Sequence, residues 1–462
     1  MKKIFLALMA VAAIAMTGCK EQPQPVDPNP QPETENGEFK IEKLRAIGKP
    51  IPNPTITLTN CKPEGSDTTL KSIRYVEYKP IYYMDYMAQV DWESLLTQPA
   101  DEHIEVFDVT KITNKVSQAL FNNPAIQTEN PEMGGSCSGF ICHNSRGELL
   151  HGRNFDGDYG EMVVVFNKNV KPGEHKSVMM TDLNMVQKTS GEMLYGGDSA
   201  LLKPGKELNV LLRQPMIALD GMNDAGLVIS CYQLPDFQKQ DSSLLDPYPY
   251  KSPTPRPYGT DQSTNKIQSN MMAVMYLALT KCTTVDEVVD LFRSYDYVAL
   301  NRTANLHWCV SDTKDFLHME YWPGDDYNAE GENPKGTVDV LFTYNADQRS
   351  KSAFLGNHNI AYEFMSMENY YYHPVPSSTF YTDYWQREFG GVFRAHNMMS
   401  HYSLVMEEET ALRVLQTGSY GLEVPGHTTN WSCIYNSARR TILFTVRNQT
   451  DRAFSIDLKT DL

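Results

Sequence analysis

The segment GGSCSGFICHNSRGELLHGRNFD, residues 134–156, constrains the fold of this chain more than any other part of its sequence. Its FICH portion is apolar and extended, NSRG at 144–147 is a turn signal, and ELLHGRNF resumes a strand-like run. The residues upstream, 122–136, contain two prolines and two glycines and are typical of a loop. The sequence therefore predicts a β-hairpin that follows a loop, with Cys137 at the start of its first strand.

Cys137 lies within G-S-C-S-G at 135–139, a pattern with two interpretations as a nucleophile. One is the Gly-x-nucleophile-x-Gly elbow of an α/β-hydrolase, which requires a buried strand before the nucleophile and a helix after it. Here a loop precedes and a strand follows, which is the wrong order. The other is a chain cut between Ser136 and Cys137, whose new α-amine, with a pKa of ~7.7–8.0, is the base for the thiol. A small buried cysteine with a structural role is the remaining alternative.

Cys137, Arg153 and Asp156 form the pattern C-S-G-F-x12-R-N-F-D, in which the arginine follows the cysteine by 16 positions and the aspartate follows three later. This pattern resembles the signature of the N-terminal-nucleophile hydrolases of the choloylglycine hydrolase, acid ceramidase and N-acylethanolamine acid amidase superfamily. Further segments resemble that superfamily in the same order: DGMNDAGLVIS at 220–230, LHWCVSD at 306–312 followed by Glu320, and VLFTYNAD at 340–347. Four ordered matches over most of the chain are more specific than any one motif.

The resemblance implies a fold and an activity. The fold is α+β, an αββα sandwich of antiparallel sheets preceded by a propeptide or α-subunit segment. The activity is that of a self-processing amidohydrolase, which cleaves linear non-peptide amide bonds of N-acyl amines, N-acyl amino acids or ceramide-like lipids through a Cys137 thioester. A bile-salt hydrolase or a penicillin V acylase-like enzyme is the alternative within the superfamily. From other classes, a catalytically silent binding lipoprotein and an acyltransferase or peptidase with the same nucleophile stay open. No cofactor is implied, because the catalytic groups all belong to the protein.

The same resemblance assigns roles to individual residues. Cys137 attacks the amide carbonyl, Arg153 favours the thiolate and lowers the thiol pKa, and Asp156 holds the α-ammonium group or the arginine in place. The oxyanion requires at least two donors. These are assigned to the side-chain amide of Asn345 and the backbone N–H of Gln233, a position where bile-salt hydrolases carry asparagine and penicillin V acylases carry tyrosine.

A late arginine of the superfamily has no clean match in this chain. Arg394, in VFRAHN, is the candidate for that catalytic position, and Arg387 is the second choice. The alternative for either residue is an arginine on the protein surface.

The N-terminus is predicted to carry an export signal. Two lysines precede an apolar run at 4–16, which is shorter than the roughly 20 residues of a bilayer span. The run ends in MTGC, which resembles a lipobox, so that Cys19 is lipidated and becomes the mature N-terminus. Residues 1–18 are then a lipoprotein signal peptide and residues 19–38 a proline-rich tether. We expect a cell-envelope protein, periplasmic or surface-exposed, anchored to the membrane by this lipid.

Residues 39–136, here named the prelude, separate the tether from the nucleophile. In the acid ceramidase and acid amidase branch, a prelude of this kind becomes a separate chain after self-cleavage and stays associated. The expected partners are therefore the prelude chain and a small N-acyl amide substrate, and residues 137–462 form the catalytic domain. Within the prelude, residues 73–86 are predicted to supply strands and residues 101–121 to be helical.

Composition excludes other classes of partner. The 462 residues include 41 Lys+Arg and 57 Asp+Glu, a formal net charge of −16, whereas a nucleic-acid partner would require a basic surface. Beyond Cys19, seven cysteines remain, and an odd number leaves at least one thiol unpaired. The sequence contains no CxxC and no HExxH, so no metal site is predicted.

Local patterns predict the other elements. Residues 268–293 contain two helical stretches, the second opened by Thr284 with Glu287 three positions later, which is a capping box. Two irregular surface stretches are predicted at 236–264 and 366–386. Strands are predicted at four further places: 305–321, 338–345, 431–447 and 453–458.

Overall fold

The computed structural model divides the chain into two compact units, Met1–Phe39 and Lys40–Leu462, and every element below belongs to the second. The structure describes the following residues: 39–51, 64–76, 81–89, 137–157, 161–183, 211–212, 214–215, 218–234, 260–261, 266–269, 271–297, 305–322, 339–344, 365–368, 405–417, 428–447 and 449–462.

The described strands, in chain order, are β1 (Lys40–Lys43), β2 (Lys49–Pro50), β3 (Arg74–Val76), β4 (Ile81–Tyr86), β5 (Ser138–His143), β6 (Leu149–Gly157), β7 (Met162–Asn167), β8 (Ser177–Asp182), β9 (Asp220–Asn223), β10 (Val228–Leu234), β11 (Thr260–Asp261), β12 (Lys266–Ser269), β13 (Tyr295–Tyr297), β14 (Asn305–Ser311), β15 (Phe316–Trp322), β16 (Asp339–Tyr344), β17 (Met365–Glu368), β18 (Thr428–Asn436), β19 (Thr441–Val446) and β20 (Arg452–Asp457). The described helices are α1 (Leu44–Ile47), α2 (Ser66–Lys71), α3 (Met271–Lys281), α4 (Val285–Arg293), α5 (Glu408–Thr417) and α6 (Leu458–Asp461).

These strands form two large sheets and one small one. The first sheet has the order β1-β20-β19-β18-β6-β5-β17, and the second has the order β16-β15-β14-β10-β9-β8-β7-β4-β3-β2. The small sheet has the order β11-β12-β13. In β7, MVVVFN, and β8, SVMMTD, every side chain is buried, which is expected where a sheet is covered on both faces.

Strand β6 shows what covers each face of the first sheet. Arg153 donates from Nη2 to the carbonyl of Cys231 in β10 of the second sheet, whereas Asn154 donates from Nδ2 to the carbonyl of Leu415 in α5. Successive side chains of a strand point to opposite faces. The second sheet and α5 therefore lie on opposite faces of β6.

Strand β9 gives the same information for the second sheet. Asp220 accepts a hydrogen bond from Trp431 in the first sheet, whereas a Cβ on Gly221 would lie 3.0 Å from Leu279 of α3. The layers run helix, sheet, sheet, helix. The predicted α+β class and αββα arrangement are confirmed.

The predicted antiparallel sheets contain exceptions: among the described strands, β12 and β13 of the small sheet are parallel, and so are two pairs in the large sheets. One is β1 with β20 and the other is β4 with β7. In both pairs a strand of the prelude lies beside a strand from the chain after Cys137. Such strands are joined through long stretches of chain, which permit parallel pairing, and not through the short turns of a hairpin.

A buried histidine ties the two large sheets together. His151 of β6 lies 2.7 Å from Ser230 Oγ through Nε2 and 2.9 Å from Ser311 Oγ through Nδ1. Both serines belong to the second sheet. Burial and the neighbouring Arg153 lower the pKa of His151 to about 3, so the imidazole is neutral at physiological pH and serves as an uncharged link.

Most predicted elements are confirmed. The hairpin after Cys137 is β5 and β6, and the Thr284–Glu287 capping box opens α4. The four predicted strand regions contain β14 with β15, β16, β18 with β19, and β20, and residues 73–86 contain β3 and β4.

The stretch 366–386 was wrongly predicted as irregular at its start, because β17 pairs there with β5. Its run of polar and aromatic residues gives no strand signal, and the pairing partner lies more than 200 residues earlier. In the stretch 236–264, Thr260–Asp261 forms β11. The predicted helix at 101–121 and the signal, lipobox and tether at 1–38 lie outside the described residues.

Candidate active site

Cys137 directly precedes β5 and is buried, with 4% of its surface exposed. The hairpin register pairs Ser138 with Asn154 and Gly139 with Arg153. This antiparallel register places residues about 16 positions apart next to each other, which is the physical basis of the Cys137–Arg153 spacing. The Cys137 thiol donates to the backbone carbonyl of Asp156, with Sγ 3.7 Å from the oxygen.

Arg153 is fully buried and held on several sides. Its guanidinium lies near enough to Cys137 for its charge to act on the thiol, donates from Nη2 to the Cys231 carbonyl at 2.7 Å, and donates from Nη1 to the Asn154 carbonyl. It also lies over the ring of Tyr232, 4.3 Å from the ring centroid, where a cation is favoured. These contacts fix one end of the guanidinium beside the thiol.

The carboxylate that pairs with Arg153 comes from the second sheet. Arg153 Nε lies 3.8 Å from Asp220 Oδ2, and both side chains are buried. Asp220 also accepts hydrogen bonds from Trp431 Nε1 at 3.1 Å and from the Tyr435 hydroxyl. Asp156 accepts from the Thr429 hydroxyl through Oδ1. The charge of Arg153, on the first sheet, is therefore balanced by the carboxylate of Asp220, on the second sheet.

The electrostatics keep the Cys137 thiol protonated at rest. Burial, the largest effect, raises its pKa; Arg153 lowers it and Asp156 raises it. Arg153 thus acts in the predicted direction, but burial exceeds its effect. For Arg153 itself, burial lowers the pKa and the neighbouring Cys137, Tyr232 and Asp220 raise it, with a net rise that leaves the guanidinium charged.

The structure brings together three of the predicted site residues, Cys137, Arg153 and Asp156, at one end of the β5–β6 hairpin. Gln233 lies on β10, two positions after the Cys231 carbonyl that accepts from Arg153. Asn345 directly follows β16, and it lies outside the described residues. The same holds for Ser136, Arg387, Arg394 and Cys19.

Four residues of the site were missed by the sequence prediction: Asp220, Tyr232, and the two β18 residues that donate to Asp220, Trp431 and Tyr435. Asp220 opens the DGMN segment, so the resemblance pointed to the right strand without giving its carboxylate a role. Tyr232 and the β18 residues carried no signal, because their contribution depends on which strands face each other across the sandwich.

In the described part of the chain, no group of three or more His, Cys, Asp or Glu side chains is placed to hold a metal ion. The six described cysteines are free thiols and are all buried: Cys137, Cys142, Cys231, Cys282, Cys309 and Cys433. No helix within the described ranges has the length and apolarity needed to cross a bilayer.

No family model matches this sequence, and no curated protein matches it. Solved structures do. A mutant of the conjugated bile acid hydrolase from Clostridium perfringens is similar at 11% identity and a TM-score of 0.40, over 71% of this chain and 93% of that one. Penicillin V acylase from Agrobacterium tumefaciens is similar at 15% identity and a TM-score of 0.39, over 70% and 87% of the two chains. A Caenorhabditis elegans ortholog of N-acylethanolamine-hydrolyzing acid amidase gives 14% identity and a TM-score of 0.34, over 65% and 93%. At these values the residues of the site, and not the likeness, have to support a function.

Proposed function

We propose that this protein is a self-processing amidohydrolase with Cys137 as its N-terminal nucleophile. The observation that supports this most is the surroundings of Cys137: a buried thiol at the very start of a strand, beside a charged arginine and the carbonyl of Asp156. A thiol with a raised pKa requires a base before it can attack. Cleavage between Ser136 and Cys137 supplies one on the same residue, the α-amine.

The proposed reaction has two steps. The α-amine takes the thiol proton as Sγ bonds to the amide carbonyl carbon, and the resulting ammonium gives that proton to the departing amine as the C–N bond breaks. A thioester of Cys137 is left. Water then attacks the thioester, its proton passing through the same α-amine, and the acid and the free thiol are released. No cofactor takes part.

The backbone of β10 supports Gln233 as an oxyanion donor. Cys231 directs its N–H to the Leu219 carbonyl, on the β9 side of the strand, and its carbonyl accepts from Arg153. Residues two apart in a strand direct their N–H groups to the same side. The N–H of Gln233 is therefore directed towards the side of β10 on which Arg153 lies. In the proposal, the side-chain amide of Asn345 is the second donor and Arg394 the further catalytic residue.

The proposed substrates are linear N-acyl amides with a hydrophobic acyl part, such as N-acyl amines, N-acyl amino acids and ceramide-like lipids. The long prelude favours this class over bile-salt or penicillin V-type amides. Lipidation at Cys19 would hold the enzyme at the membrane of the cell envelope, close to lipid amides. After cleavage the prelude would stay bound, since its strands β1 and β4 pair with strands of both large sheets.

The deciding experiment is mass spectrometry of the denatured wild-type protein beside Cys137→Ala. We expect a wild-type fragment that begins at Cys137, absent from the variant, together with hydrolysis of N-acyl amides that the variant loses by at least about 10³-fold. The matched control is Cys142→Ala, a buried thiol on the same hairpin, which should be cut and should retain activity.

An intact wild-type chain with no hydrolysis would contradict the proposal and favour a binding lipoprotein. If the chain is cut but the acyl group on Cys137 passes to an added amine faster than to water, the protein is an acyltransferase instead.

A further inference from the structure

The charge of Arg153 is buried and therefore has to be balanced. A buried cation without a counter-charge strongly destabilises a folded protein. In the described structure its ion-pair partner is Asp220, with 3.8 Å between Nε and Oδ2. Arg153 therefore acts in two directions: its Nε faces Asp220, and its positive charge acts on the Cys137 thiol.

Asp220 is itself held in place from the opposite sheet. Trp431 Nε1 donates to Oδ2, and the Tyr435 hydroxyl donates to Oδ1, both from β18. Burial, the largest effect, raises the pKa of Asp220 above its ordinary value, and Arg153, Tyr435 and Trp431 offset part of that rise. Both oxygens accept hydrogen bonds from neutral donors and one faces a cation, which is the arrangement of an ionised carboxylate.

We propose that Asp220 is a positioning residue: its carboxylate holds the Arg153 guanidinium against Cys137 and offsets its charge, so that the thiol rests in its neutral form. The inference rests on the proposed function of Cys137 as the nucleophile. Without Asp220, the uncompensated charge of Arg153 would lower the pKa of the Cys137 thiol. The thiol would then ionise at a lower pH, and each thiolate would be a weaker nucleophile.

Other titratable groups surround this unit, and burial makes most of them neutral. Burial raises the pKa of the cysteines and tyrosines among them, that of Cys231 to about 12. The described groups that interact with Cys137, Arg153 or Asp220 are Asp156 and the neutral His151 on β6, Cys231 and Tyr232 on β10, Cys309 on β14, and Cys433 and Tyr435 on β18. The charges that act on the thiol directly are then those of Arg153 and Asp156, and Asp220 acts on it through Arg153.

The test is the pH dependence of Cys137 alkylation by iodoacetamide, followed at the Cys137 peptide by mass spectrometry. In Asp220→Asn, which keeps the shape of the side chain and removes its charge, the midpoint should fall by roughly one pH unit. Tyr435→Phe removes one hydrogen bond to Asp220 and keeps the charge, so its midpoint should stay close to wild type. A midpoint that is unchanged or raised in Asp220→Asn would overturn the proposal.

Asp220→Asn leaves Arg153 without a counter-ion and could fail to fold. Arg153→Gln/Asp220→Asn removes both charges and should then restore soluble protein, which a purely steric role of Asp220 would not produce. If the double variant is as insoluble as the single one, the charge-pair role is wrong.

Alkylation of Cys137 requires neither cleavage of the chain nor turnover of a substrate. The role of Asp220 and the proposed function of Cys137 are therefore tested independently. If Cys137→Ala keeps its hydrolytic activity, Cys137 is not the nucleophile, whatever the alkylation midpoints are. If Cys137 is the nucleophile, Asp220→Asn should change kcat and leave KM close to that of wild type, because Asp220 acts on the thiol through Arg153 and not on the substrate.

Discussion

At the residue scale, Gly139 of β5 sets how closely this strand approaches Tyr232 of β10, whose ring lies against the Arg153 guanidinium. A Cβ at this position would lie 2.2 Å from the Tyr232 hydroxyl and 2.5 Å from the Gly152 carbonyl. Tyr232 in turn supports the Arg153 guanidinium on its ring face. The glycine of the C-S-G-F pattern is therefore required for close approach, two residues from the thiol.

Gly139→Ala should destabilise the protein by about 2–4 kcal/mol, because the added methyl group collides with a backbone carbonyl that cannot move away. Denaturant unfolding of wild type and variant measures this. Gly147→Ala is the matched control: it has a φ of +75° and no neighbour within 4 Å, so it should cost only about 1–2 kcal/mol of backbone strain. Equal losses of stability in both variants would mean that Tyr232 and the Gly152 carbonyl move aside for the added methyl group at no cost.

The residues that could be predicted are those whose relation is local. Cys137, Arg153 and Asp156 lie on one hairpin, and a hairpin register follows from its turn, so their spacing in sequence reports their proximity in space. Asp220 lies on another sheet, and no local pattern reports which strand faces β6. The pairing of Arg153 with Asp220 therefore required the structure.

At the element scale, α4 shows how fully local signals can determine a helix. Its capping box is complete, with the Glu287 backbone N–H donating to Thr284 and the Glu287 side chain accepting from the Thr284 backbone. Asp312, in the turn between β14 and β15, accepts from the Val285 backbone N–H at 2.9 Å. The helix start is thereby joined to the second sheet. Strand β17 is the opposite case, since its partner among the described strands, β5, is remote in sequence and its own residues give no strand signal.

Thr284→Ala should reduce the free energy of unfolding by about 1 kcal/mol, because the first turn of α4 loses the side-chain acceptor for its N–H group. Thr284→Ser keeps the hydroxyl and should remain within a few tenths of a kcal/mol of wild type. Both are measured by denaturant unfolding. Equal stability of Thr284→Ala and Thr284→Ser would show that Asp312 alone is sufficient to hold the helix start.

At the scale of the whole molecule, a buried cluster of polar and titratable side chains joins the two sheets at a second place. Arg447, which follows β19, donates to Glu161 Oε1 at 2.7 Å, beside β7. Asn430 of β18 donates to Asp182 of β8 at 3.3 Å. Burial, partly offset by Arg447 and increased by Asp182, raises the pKa of Glu161 from 4.5 to about 8. Folded protein therefore holds a proton on Glu161 at neutral pH.

This proton makes stability depend on pH in a defined direction. Between pH 4.5 and 8 the folded state binds one proton more than the unfolded state, so the contribution of Glu161 is full below about 4.5 and is lost as the pH rises to about 8. Glu161→Gln resembles the protonated form at every pH. Its stability relative to wild type should rise by roughly 1–3 kcal/mol between pH 5 and pH 9, measured by denaturant unfolding. A difference that does not change with pH would mean that Glu161 titrates normally.

The parallel pairs β1–β20 and β4–β7 have a consequence for how such a protein can be made. In the proposed processing, a cut before Cys137 would leave two polypeptides interleaved in the same sheets. Folding of the uncut chain is unimolecular, but recovery of the cut form after unfolding needs two molecules to meet. The apparent stability of the cut form would then increase with protein concentration, whereas that of the precursor would not. In the proposed processing, folding would therefore come before cutting. A cut protein that unfolds in dilute solution would refold only as fast as its two chains meet.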